Sequence, residues 1–167
     1  FRTDTGDLVT DTTVEPVEGQ QSVMMDNEGD GYVWLELRDN DSYETTATRV
    51  YGPEGLVSDL THLQDKYYAL NYLTTTPEGR PLYYGTSEAP SSSGSLCDVL
   101  DETGNVALGL GDLGSCYSYY DNSLNQLPDH VFVARRGFYY GWMDTNGKWL
   151  YCQSIFSTIN ADDEMGY

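Results

Sequence analysis

The sequence predicts an all-β chain of three pseudo-equivalent lobes, each of four short strands, with little or no helix. Short runs rich in aromatic and β-branched residues recur from Tyr32 onward, among them "YVWLEL", "YYALNYL", "PLYYG", "NVALGL", "CYSYY", "HVFVARR", "FYYGWM" and "KWLYC". Alternation and aromatic enrichment mark them as strands. No long stretch keeps the apolar spacing of a helix. The same turn chemistry, polar or acidic residues closing on glycine, returns as "VYGPEGL" (50–56), "LDETGNV" (100–106) and "MDTNGKW" (143–149).

Gly55, Gly104 and Gly147 lie 49 and 43 residues apart, a period that fits units of four short strands. Gly79 and, in "DNEGDG", Gly29 are further copies of the turn. Taken in order, residues 1–25 are polar and poor in aromatics, which reads as an extended acidic arm, and residues 26–167 read as a single domain. "LVSDLTHL" (56–63) holds a helical spacing at Leu56, Val57, Leu60 and Leu63, fitting one short helix or equally a strand followed by an irregular loop. "SEAPSSSGS" (87–95) reads as an inserted flexible loop. The inward-facing set is expected to include Val33, Leu35, Val50, Leu70, Leu82, Val99, Leu100, Val106, Leu108, Val131, Val133, Met143 and Leu150.

The order of these hairpins resembles the β-trefoil cytokines, specifically the fibroblast growth factor family. "TRVYGPEGLVSD" (48–59), "CDVLDETGNVALG" (97–109) and "FYYGWMDTNGKWLY" (138–151) are similar to its three lobe hairpins, and "YYALNYLTTTPEGRPLYYG" (67–85) to an intermediate one. The resemblance implies a β-trefoil and a secreted ligand for a protein partner. It does not extend to heparin, because Lys148 is the only Lys or Arg in residues 148–167 and sulfated polysaccharide demands clustered cations. "YGWMDTNGKW" also resembles WG-type repeats, although the other turns lack the adjacent aromatic-glycine pair.

Composition bounds the partners. Eight Lys and Arg against 27 Asp and Glu leave a net charge of −19, a field that repels nucleic acid and anionic lipid and attracts cations and basic proteins. No run reaches the roughly 20 apolar residues needed to cross a bilayer as a helix. The first residue is Phe1 rather than Met, so the chain is read as processed, excised or recombinant, signal cleavage being one explanation; secretion would also make the sequon at Asn40 usable.

Catalytic signatures are absent. His62 and His130 are the only histidines, and a Cys116–His130 nucleophilic pair conflicts with a Cys116 that packs inward. "GLGDLG" (109–114) matches a dinucleotide fingerprint by letters, yet a strand-like "SCYSYY" follows where a helix must open. No enzyme activity and no cofactor are expected. Weak calcium candidates are Asp26, Glu28 and Asp30 in "DNEGDG" and Asp39 and Asp41 in "DNDSYE". The first loop lacks the closing glutamate of an EF-hand at the required place.

The tyrosine doublets at 67–68, 83–84, 119–120 and 139–140 carry the partner-binding expectation. Neighbours in a strand face opposite ways, so each doublet offers one inward and one outward ring. Tyr68, Tyr84, Tyr120 and Tyr139 are the candidate contacts, for a basic protein partner or for self-association. The alternative role is a structural component of an extracellular assembly or biomineral matrix, consistent with acidity and tyrosine content. Cys97, Cys116 and Cys152 allow at most one bridge and a leftover thiol.

Overall fold

A computed structural model describes residues 18–27, 31–87, 97–111, 114–117 and 127–156. The described chain is all-β, with twelve strands and a single 3-10 turn. It forms three four-stranded antiparallel sheets, each a run of consecutive strands. The first holds β1 (Gln20–Asn27), β2 (Tyr32–Asp39), β3 (Thr45–Gly52) and β4 (Gly55–Asp59). The second holds β5 (Ala69–Thr75), β6 (Pro81–Thr86), β7 (Cys97–Leu100) and β8 (Val106–Gly109). The third holds β9 (Ser115–Tyr117), β10 (Val131–Arg136), β11 (Tyr139–Asp144) and β12 (Trp149–Ser154).

Each recurrent glycine bend closes the last hairpin of its sheet: Gly55 at the start of β4, Gly104 between β7 and β8, Gly147 between β11 and β12. Two of these share one mechanism. At 144–148, the Asp144 N–H donates to Lys148 O at 3.0 Å and the Gly147 N–H to Asp144 O at 2.9 Å. Asp144 Oδ1 accepts the N–H groups of Asn146 at 3.0 Å and Lys148 at 2.9 Å. At 101–105, the Asp101 N–H donates to Asn105 O, and Asp101 Oδ1 accepts the Asn105 N–H, both at 2.9 Å.

"TPEGR" (76–80) uses the same frame, with Thr76 Oγ1 accepting the Arg80 N–H at 3.3 Å. "VYGPEGL" closes differently, by a tighter turn in which Gly52 and Gly55 are strand partners flanking Pro53 and Glu54. At Gly147 the bend needs φ +79°, and an added Cβ would lie 2.7 Å from Leu108 Cδ2, so glycine is required there twice over.

"LVSDLTHL" resolves as the strand-then-loop alternative: β4 ends at Asp59 and Thr61–Leu63 make one 3-10 turn. Asp59 Oδ1 accepts the Thr61 N–H at 3.1 Å where the turn begins. Residues 20–25, read from sequence as part of the arm, belong to β1, which pairs with β2 along its whole length. A polar strand is tolerated because β1 is an edge, bonded on one side only.

The chain divides into two compact units, Phe1–Lys66 with Glu102–Gly104, and Tyr67–Asp101 with Asn105–Tyr167. The first buries Trp34, Leu35, Leu37, Ala47, Val50, Leu60 and Leu63. Trp34 and Leu35 are adjacent and both buried, so this sheet is covered on both faces at β2. The second packs Leu73, Leu82, Cys97, Val99, Leu110, Cys116, Phe132, Ala134 and Met143 into one cluster.

Two expected core residues face outward. Leu150 is 52 % exposed, because a bulge pairs Met143 with Trp149 and gives Trp149 the inward position. Val106 is 47 % exposed on the edge strand β8. Val33, Leu70 and Val133 are half-buried, and on β10 the fully enclosed side chains are Phe132 and Ala134 rather than Val133.

Candidate interaction surface

Alternation along β10, β11 and β12 builds two unlike faces. Phe132, Ala134 and Met143 point into the core cluster. The intervening residues fall on the other face in two cross-strand rows: Val133 beside Trp142 beside Tyr151, and Arg135 beside Tyr140 beside Gln153. Trp142 is 45 % and Tyr151 53 % exposed. Their ring centroids are 6.0 Å apart, inclined at 58°, a tilted pair in the favourable range for aromatic contact. In the second row Gln153 Nε2 donates to the Tyr140 hydroxyl, and Arg135 Nε donates to Gly137 O at 3.1 Å.

Past the β10–β11 turn, Phe138 and Phe156 form another exposed pair, with centroids 5.1 Å apart. Apolar side chains of this size grouped on a solvent-facing sheet are the composition of a docking surface. Trp, Tyr and Arg together are what interface hot spots favour.

The expected contacts divide. Tyr68 is exposed and Tyr67 buried, both in the segment before β5, so strand alternation is not what separates them. Tyr139 is exposed at the start of β11. Tyr84 is half-buried and packs against the core cluster, on a strand where the adjacent Leu82 and Tyr83 are both buried. Burial first, then the neighbouring Cys116 and Cys97, pushes its hydroxyl pKa up. Tyr120 lies outside the described residues. Trp142, Tyr151, Phe138 and Phe156 were missed by sequence reasoning. For Phe138, Trp142 and Tyr151 the signal was present as aromatics in "GFYYGWMDTNGKWLY" (137–151), and Phe156 follows five residues later, but only register shows that Trp142 and Tyr151 meet.

Asp39 Oδ1 accepts the N–H groups of Ser42 at 2.8 Å and Asp41 at 2.9 Å, and the Ser42 hydroxyl. Those donors, Ser42 first, hold its carboxyl below the usual range. Asp39 therefore shapes the turn, Asp41 is exposed, Asp26 lies in β1, and Glu28 and Asp30 are outside the described residues. Among the described residues no group of three or more His, Cys, Asp or Glu is placed to hold a metal.

Cys116 lies against Cys97, while His130 Nδ1 donates to Thr75 O at 2.8 Å. After "GLGDLG" the next element is strand β9. Asn40 of the sequon is exposed in the β2–β3 turn. No helix among the described residues is long and apolar enough to cross a membrane.

A family model described as Domain of unknown function (DUF5046) matches residues 1–163. The chain belongs to this family. The match takes in all three sheets, so the DUF5046 unit includes the aromatic face of β10–β12. Comparison with curated proteins and with solved structures gives no match to either.

Proposed function

We propose that the chain is a secreted, non-enzymatic interaction module that binds a protein partner through the outer face of β10–β12. The exposed Trp142–Tyr151 pair, with Arg135 and Tyr140 in the adjoining row, carries this reading. A net charge of −19 favours a partner that is basic overall, drawn in at long range by charge and held at short range by the rings.

The likeness to trefoil cytokines is part of the proposal. Three consecutive four-strand units, each closed by a glycine hairpin, support a threefold repeat. The consecutive order within each sheet supports the WG-type likeness equally well, since each unit is then a self-contained meander. Cross-strand nuclear Overhauser contacts distinguish them: a trefoil requires strands of different lobes to pair around a closed barrel. Heparin binding is not expected, and retention on a heparin column at low salt would overturn that part.

The central experiment is capture from the native source with the wild-type chain and a Trp142→Ala/Tyr151→Ala variant, followed by titration of the purified partner. Loss of one hot-spot aromatic should weaken binding by about 30-fold or more, and added salt should slow association. A partner bound equally well by both chains would refute the docking face.

The matrix or assembly alternative rests on one observation, the edge strand β12 with Leu150 and Tyr151 exposed, which favours pairing between copies. Sedimentation velocity with and without calcium separates the two: polymerisation supports assembly, and a concentration-independent monomer supports the soluble module.

A further inference from the structure

Cys97 on β7 and Cys116 on β9 approach to 2.9 Å between sulfurs, deep in the core of the second unit. They are 0 % and 4 % exposed and free. Unbonded carbon atoms already settle about 3.5–4.0 Å apart, and sulfur is larger, so the two thiols are pressed together. Their surroundings are apolar: Leu73, Leu82, Leu110 and Phe132 belong to the same cluster. Cys152 is exposed on β12, its backbone opposite Gly141.

We propose that Cys97 and Cys116 form a disulfide clamp joining β7 to β9, with Cys152 left as the single thiol. Of the pairings open to three cysteines, this one needs only a small side-chain rotation, because a disulfide bond is about 2.0 Å long. The bridge replaces two buried S–H groups by a bond that fits an apolar core. It closes an 18-residue segment, 98–115, that runs through the β7–β8 hairpin to the first residue of β9. This inference is independent of the docking face.

The chemistry balances with a low-molecular-weight disulfide such as oxidised glutathione as the oxidant. The Cys97 thiolate attacks one sulfur of the reagent, forming a mixed disulfide and releasing one thiolate. The Cys116 thiolate then attacks Cys97 Sγ, displacing the second. The two cysteines lose two protons and two electrons, and the reagent leaves as two thiols. The order of the two thiols is interchangeable, because either sulfur can be the donor in the contact between them. Because both sulfurs are enclosed, closure takes place during folding or on local opening.

The test is refolding of the full chain from denaturant in a glutathione redox buffer, then alkylation under denaturing conditions and peptide mapping without reductant. The expected result is a peptide pair linked through Cys97 and Cys116, with Cys152 alkylated. Three alkylated cysteines, or a bridge to Cys152, would overturn the assignment.

A Cys152→Ser variant keeps the measurement clear of intermolecular exchange and should still form the bridge. Its oxidised form should melt roughly 6–12 °C above its reduced form, as expected for a loop of this length in a chain of this size. Equal melting temperatures with the bridge in place would overturn the clamp.

Discussion

The ring of Tyr67 lies directly over Gly85, so close that an added Cβ there would fall 2.6 Å from ring carbons. The same tyrosine donates its hydroxyl to Asp98 Oδ2 at 2.8 Å, and Asp98 is the strand partner of Gly85. One side chain from the segment before β5 thus covers β6 and reaches β7.

Replacing Gly85 by alanine should displace that ring and destabilise the chain by about 1–3 kcal/mol. Tyr67→Phe keeps the ring but removes the hydrogen bond, a loss of about 0.5–1.5 kcal/mol. The double variant should lose less than the sum, because a displaced ring no longer places its hydroxyl on Asp98. Urea unfolding of the four chains measures this; strict additivity would show that ring and hydroxyl act separately.

Alkaline stability should report on the same tyrosine. Burial, then Asp98, raises the Tyr67 pKa above its ordinary value. A raised folded-state pKa contributes stability that is fully present below the unfolded value, about 10 for tyrosine, and declines as pH rises through the folded one. The stability difference between wild type and Tyr67→Phe should therefore narrow above about pH 10. A constant difference from pH 8 to about 11 would contradict it.

On the acid side the relation reverses for Asp39. The N–H groups of Ser42 and Asp41 depress its pKa, so its contribution is present above the unfolded value, about 3.9, and is lost as pH falls through the folded one. Asp39→Asn should flatten the acid limb of a stability–pH profile. An unchanged limb would separate this turn from acid unfolding.

Core and surface leucines should differ sharply. Leu100 is 0 % and Leu150 52 % exposed. Leu100→Ala should cost about 2–5 kcal/mol, and Leu150→Ala should stay within about 0.5 kcal/mol. Similar losses at both positions would mean that the β11–β12 register is wrong.

Asp144→Ala removes the carboxylate that accepts two backbone N–H groups of its turn. A loss of about 1 kcal/mol is expected, with Gly147→Ala costing more because strain at positive φ adds to the clash with Leu108. Thermal melts that rank the two the other way would displace this account of the hairpin.

Much was legible in the residues alone. Strand texture and turn chemistry are local properties, set by side-chain shape and by the few residues that suit a hairpin, so the all-β class and the glycine bends near 55, 104 and 147 could be read without a fold. Net charge is additive and needs no fold either.

Facing and partnership belonged to the tertiary structure. One-residue bulges reverse the parity of everything after them, as between Trp142 and Met143; this sends Leu150 outward and Trp149 in. Pairing across sequence distance placed Trp142 beside Tyr151 and Cys97 against Cys116, contacts that no local pattern encodes because strand register and core packing create them together.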